Sequence, residues 1–498
     1  MKFKPTLLLV LLLSTMFSFA QNTLKLDAIF SSKMVLQRQQ NIPVWGLAKP
    51  ETKVEVIFRS DTISTYSDNQ GAWRVNFKAY EAGGPFTLLV QSEKESITLN
   101  EILIGEVWLA SGQSNMHLDL KRTLDGDRVA KNANNPNIRL YYMKPTFPTG
   151  KDGVHTLEEL DKIQNNQYFN TQGWMKVTPE NVLYFSAVAY YFSEKLQEEL
   201  DVPIGIIHNA VPGSPIESWL SRKDIKQDSV ISNYVEQRWV DKEDEKDAMI
   251  SVAKKQISLK NPGVKQKHPW MPNYNYKNGI LPLIHTPIKG VIWYQGESNA
   301  ESPGIYKTMF SKMVKTWRAD WNLNFPFYYV QLTSREDRPA WPEFRFAQSE
   351  LLNQVPNSKM VVITDAGDRQ DTHAKNKKPV GERLALMALG DTYHILKNYE
   401  SPMFDSISVK KNKFTIHFKG AFKCLKTSDG NAVVGFEISE DNKQFRSISP
   451  KIQGKKVTFK YASKNNKTLY VRYAWKSYTE ANLVSKKGLP VSTFRTKI

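Results

Sequence analysis

Gly105-Glu106-Val107-Trp108-Leu109-Ala110-Ser111-Gly112-Gln113-Ser114-Asn115-Met116 is an apolar, strand-like run that stops abruptly in small and polar residues. A buried strand ending in a tight turn can lift one hydroxyl, here Ser114, into a cleft. The N–H groups of the turn and of the helix after it are then free to receive an oxyanion. Gly-X-Ser turns are common, so the window needs support from the rest of the chain.

That support is a repeating texture. Apolar runs at 106–110, 204–209, 290–294, 327–332 and 360–364 read as strands, and 186–199, 304–319, 344–353 and 379–389 read as amphipathic helices between and after them. Strands alternating with helices predict a doubly wound parallel sheet, whose sites lie at the carboxyl ends of its strands. On either side the pattern turns to short alternating runs, such as Lys53-Val54-Glu55-Val56-Ile57-Phe58, Trp73-Arg74-Val75-Asn76-Phe77 and Lys413-Phe414-Thr415-Ile416-His417-Phe418. These predict β-sandwich-like units. The expected organisation is a β domain over 21–100, an α/β domain over 101–398 and a second β domain over 399–498. Whether the two β units pack together is open.

With 498 residues, 41% of them hydrophobic, the chain is long enough for two or three cores. Residues 1–20 read as a secretory signal: Lys2 and Lys4 precede the apolar stretch 6–13, and Ser18-Phe19-Ala20 supplies small residues for cleavage. The expectation is an exported protein, periplasmic or secreted, without a membrane anchor. Cys424 is the one cysteine, so no intramolecular disulfide forms. The formal charge is +18. Its lysines, including Lys254-Lys255 and the run Lys375 to Lys378, are spread rather than gathered in an arm, and read as a solvated surface rather than a nucleic-acid site. The charge-rich stretch 241–260 reads the same way.

Four polar clusters each follow a predicted strand: Gly112-Gln113-Ser114-Asn115-Met116, Asn209-Ala210-Val211-Pro212-Gly213-Ser214-Pro215, Gln295-Gly296-Glu297-Ser298-Asn299, and Asp365-Ala366-Gly367-Asp368 with Asp371-Thr372-His373. Together they resemble the sialate O-acetylesterase family, a branch of the SGNH-hydrolase carbohydrate esterases. Further matches are Met34-Val35-Leu36-Gln37-Arg38, Pro43-Val44-Trp45-Gly46, Gly435-Phe436-Glu437-Ile438, Gly488-Leu489-Pro490 and Phe494-Arg495-Thr496, so the resemblance spans nearly the whole chain after the signal.

The resemblance implies an SGNH-type three-layer α/β/α domain and a serine esterase acting on O-acetylated carbohydrate, with no cofactor. It assigns Ser114 as nucleophile, His373 as base and then acid, and Asp371 as the acid behind it. The spacing common among SGNH enzymes would place the acid at Gln370, whereas Asp371 fits this branch. Asp368, Asp365 and a serine–histidine dyad stay open. The oxyanion hole would combine the N–H groups of Ser114 and Gly213 with the Gln295 amide. Pro212 stands where the family often has glycine, and Ala374 where it often has proline.

Plainer readings compete with some of these residues. His117 lies on the face of Ser114 one helical turn later and reads as substrate-side or structural. Asn115 and Glu297 read as supporting or substrate-contacting groups, and His208 is undecided. No spacing of His, Asp or Glu suggests a metal. The glycan, its acetylated position and the oligomeric state are not readable. Acetylated xylan or xyloglucan is the alternative substrate, and a non-catalytic glycan-binding protein is the opposing class.

Overall fold

The computed structural model describes residues 24–93, 95–149, 153–239, 248–259, 265–462 and 468–498. The signal expected at 1–20 and the 241–247 part of the charge-rich stretch lie outside them.

One strand, Glu95–Gly112, organises the molecule. Its first seven residues are exposed or half-buried and pair antiparallel with Gly83–Ser92. From Ile102 onward every residue is buried. There it lies parallel to both Ile204–His208 and Gly290–Tyr294, in a sheet where both faces are covered. The sheet runs Trp174–Lys176, Ile138–Tyr142, Ile204–His208, Glu95–Gly112, Gly290–Tyr294, Phe327–Val330, Ser358–Val361. Along this run of strands only the Trp174–Lys176 edge is antiparallel. The connections leave Glu95–Gly112 toward opposite edges, which opens a crevice at its carboxyl end. Ser114 stands two residues past that end.

Aromatic packing covers both faces. On one, Trp108 meets Phe192 of the helix Ala187–Leu200 edge-on, and the helix Lys378–Met387 crosses close by. A side chain at Gly381 would meet Val188 O and Tyr191 Cβ at 2.6 Å, so the crossing needs glycine. On the other, Phe310 and Trp317 of the helix Pro303–Trp321 pack against Phe327, Tyr329 and Trp293.

The predicted helices are present, displaced at their ends by one to three residues: Ala187–Leu200, Pro303–Trp321, Trp341–Glu350 and Lys378–Met387. The strand Ile138–Tyr142 was not expected. The N-terminal strands alternate as predicted, with Ala72–Phe77 exposing and burying successive residues, and share one hydrophobic core with the central sheet. The strands after Met403 pair among themselves and enclose a separate core around Ile416, Phe436, Val457, Val471 and Phe494. Arg345, fully buried on Trp341–Glu350, joins the two regions by donating to Ala474 O, Ser477 O and Thr493 Oγ1 at 3.0–3.2 Å.

Candidate active site

The turn after Glu95–Gly112 is shaped by its neighbour. Gly112 has φ +139°, and a Cβ there would lie 2.1 Å from Tyr294 O. That close approach lets Gln113 N–H donate to Tyr294 O at 3.0 Å. Gln113 Oε1 in turn accepts the N–H groups of Gly296 and Ser298. Ser114 then opens a single helical turn, Ser114–His117.

His373 arrives from the last strand's loop, and its Nε2 lies 2.8 Å from Ser114 Oγ. With the ring proton on Nδ1, the serine hydroxyl donates to Nε2, which is the arrangement a general base requires. Burial holds the His373 ring below the usual histidine range; the nearby Lys377, Arg122 and Arg335 act in the same direction and Asp371 opposes them. These effects together favour the neutral ring.

Of the candidate acids, Asp371 comes nearest. Its Oδ1 accepts the His373 backbone N–H at 2.8 Å and lies 4.0 Å from Nδ1, outside hydrogen-bond reach. Asp368 caps the N–H groups of Gln370 and Asp371, while Asp365 forms a two-pronged pair with Arg383 at 2.6 and 2.7 Å. Arg335 props the loop by donating to Gln370 O and Thr372 Oγ1.

Gly213 has φ +73°, and a Cβ would collide with the Trp270 ring at 2.2 Å. Trp270 Nε1 and Thr149 Oγ1 both donate to Pro212 O, and Ser298 Oγ donates to Gly213 O, so this turn is fixed from three sides. Among the described residues, the N–H groups of Ser114 and Gly213 have no acceptor.

Gln295 departs from expectation. It is fully buried, and its Nε2 donates to Ser214 O at 3.3 Å and Asn299 Oδ1 at 2.8 Å. With both amide protons engaged, it has none to offer an oxyanion here. Instead it begins a brace from Asn299 to Glu217 and Arg238. The longer glutamine arm reaches back into its own turn.

His117 also turns inward. The half-buried ring packs against Tyr142 and His208, and loss of solvent around it pushes it down to about 4. His208, whose Nε2 lies 3.3 Å from Met116 O, is pushed down to about 3 for the same reason. Both are packing histidines beneath the Ser114 turn.

Asn115 and Glu297 belong to a buried polar group that the sequence reading only half identified. Asn115 Nδ2 donates to Glu297 Oε1 and to Thr372 O, and Asn115 Oδ1 accepts from Lys377 Nζ. Lys377 is 2% exposed. Its place in the Lys375 to Lys378 run suggested a solvated lysine; the structure corrects this, because Lys375 and Lys378 are exposed while Lys377 turns beneath the site. Trp270 and Arg335 were missed too, since neither lies in a recognisable cluster. Among the described residues, no three His, Cys, Asp or Glu side chains are grouped to hold a metal ion. No described helix is long and apolar enough to cross a membrane.

Known proteins share this architecture. Residues 263–389 match the model of the family described as "Carbohydrate esterase, sialic acid-specific acetylesterase". A carbohydrate acetylesterase from Xanthomonas citri superposes with a TM-score of 0.78 and 30% identity, over 95% of this chain and 99% of that one. Sialate O-acetylesterase from Homo sapiens is 26% identical, with 90% of this chain and 87% of the relative aligned. The protein of that name from Mus musculus is 28% identical over 72% of each.

Proposed function

The chain belongs to the sialic acid-specific acetylesterase family of carbohydrate esterases, and on that premise we propose that it is a serine esterase removing O-acetyl groups from carbohydrate, sialate first among them. The observation that carries the proposal is the 2.8 Å contact between Ser114 Oγ and His373 Nε2, made by turns from two separate strands at the mouth of the crevice.

In this reading Ser114 Oγ attacks the acetyl carbonyl carbon while His373 Nε2 takes the hydroxyl proton. The carbonyl oxygen becomes an oxyanion facing the unpaired N–H groups of Ser114 and Gly213, each such donor contributing roughly 3–4 kcal/mol. Collapse breaks the bond to the sugar oxygen, which leaves with the proton from His373. Water attacks the acetyl-serine by the same route, giving acetate and free Ser114. Asp371, at 4.0 Å, acts on the imidazolium mainly through charge.

The finer organisation is part of the proposal: an SGNH-type three-layer domain over 101–398, β domains over 21–100 and 399–498, and export directed by residues 1–20. Acetate release from O-acetylated sialic acid, acetylated xylan and acetylated xyloglucan, by wild type and Ser114→Ala, tests it. Release by wild type alone, fastest from the sialic acid, is expected. Preference for either plant glycan would move the substrate assignment. Saturable glycan binding without acetate release would support a binding protein.

A further inference from the structure

Beneath Ser114 lies a line of three side chains, Lys377 and Asn115 fully buried and Glu297 half-buried. Each comes from a different part of the site: Lys377 from the start of the last helix, Asn115 from the residue after Ser114, and Glu297 from the Gln295–Asn299 turn. The Asn115 amide lies between the Lys377 ammonium and the Glu297 carboxyl group and meets both in one orientation, oxygen toward Lys377 Nζ and nitrogen toward Glu297 Oε1. The second Asn115 proton goes to Thr372 O, beside His373. One side chain thus ties the nucleophile's turn to the base's loop.

We propose that Lys377 is a positioning residue of this site, holding the Ser114 turn through Asn115 and setting an enclosed ammonium beneath the Ser114–His373 pair; this rests on the serine-esterase reading above. The geometry leaves the ammonium few alternatives. It is enclosed, 5.6 Å from the Tyr294 ring centroid, and its hydrogen-bond acceptor is Asn115 Oδ1. Such a charge costs stability unless it is compensated, and Glu297 supplies the compensation across one amide. Glu297 Oε2 is itself buried and has no hydrogen-bond partner among the described residues; burial raises the carboxyl above the usual range, while a backbone hydrogen bond, the Asn115 amide and Lys377 act against the rise. Burial brings the Lys377 ammonium down to about 8, with Glu297 and Asp371 acting against the fall.

The charged groups acting on His373 are Asp371 on its own loop, Lys377 on the following helix, Arg122 beside the nucleophile's turn and Arg335 on the supporting loop. Arg122 is half-exposed and paired with Asp119, and Arg335 donates to Thr372 and Gln370. Of these three cations Lys377 is the fully buried one, and so the least screened by water.

The test follows the His373 titration directly, by NMR of the histidine ring Cε1–H signals in the full-length protein, alongside kcat and KM on 4-nitrophenyl acetate. The variants are Lys377→Met, Lys377→Gln and Lys377→Arg, with His373→Gln used for assignment. Removing the cation should move the His373 midpoint to higher pH in both Lys377→Met and Lys377→Gln. Lys377→Arg should hold it near wild type. Lys377→Met, which also loses the hydrogen bond to Asn115, should lose about 10- to 100-fold in kcat with KM changed less than about threefold. Lys377→Gln keeps a donor and should recover part of kcat, and it also serves if Lys377→Met does not fold. An unchanged His373 midpoint in the neutral variants would overturn the proposal, whatever happens to the rate. Correct midpoints without turnover by wild type would instead count against the esterase reading.

Discussion

Replacing Asp371 by asparagine separates charge from geometry. Asparagine keeps an oxygen where Oδ1 now accepts the His373 N–H, so the loop's turn survives. What is lost is a negative charge 4.0 Å from Nδ1. Two unit charges at that distance attract by about 1 kcal/mol in water and about 4 kcal/mol at an effective dielectric of 20. The two side chains are 46% and 48% exposed, which puts the interaction toward the lower figure, about 1–2 kcal/mol. Asp371→Asn should therefore lower kcat/KM by roughly 5- to 30-fold, far from the roughly 10⁴-fold lost when an acid hydrogen-bonded to the ring is replaced. The acid limb of the pH profile should move to lower pH, since Asp371 favours the imidazolium. Hydrolysis of 4-nitrophenyl acetate between pH 5 and 9 measures both. A loss beyond about 10³-fold would refute this reasoning, showing that the carboxylate closes onto Nδ1 during turnover; so would a shift of the limb to higher pH.

Two further predictions concern stability. Arg345→Met leaves buried acceptors on the 474–477 segment and Thr493 without their donor, and should cost on the order of 3 kcal/mol in urea unfolding; an unchanged midpoint would contradict the latch. His117 and His208 are held near 4 and 3 in the folded state against an ordinary 6.5, so the stability they contribute is complete above about pH 6.5 and is lost as pH falls toward 4 and then 3. His117 alone represents on the order of 3 kcal/mol. Melting temperature should fall between pH 7 and 4.5 and fall less in His208→Gln, and an equally steep fall in that variant would contradict the assignment.

Much of the candidate site was legible because it sits where strands end. The apolar run into Ser114 and the cluster around His373 announce themselves by an abrupt change from buried to polar residues, and the sheet brings them together as parallel strands must. What escaped depends on contacts distant in sequence. Ile138–Tyr142 is a short run whose place inside the sheet is set by Ile204–His208. The Gln295 amide was assigned to the oxyanion, but its protons go to Ser214 and Asn299, which no spacing reveals. Lys377 looked solvated because charge runs usually are; only the start of the helix at Lys378 shows that one lysine of the run turns inward. Gly213 was read as an oxyanion donor; that the position also has to be glycine is set by the Trp270 ring, 57 positions further along the chain.

The central claim is that Ser114 is the nucleophile. The most direct measurement is mass spectrometry of the protein after reaction with a serine-directed fluorophosphonate, with acetate release followed in parallel. One adduct on the peptide carrying Ser114, lost together with activity in Ser114→Ala, is the predicted result. Undiminished acetate release by Ser114→Ala, or inactivation by an adduct on another residue while Ser114 stays unmodified, would contradict the account.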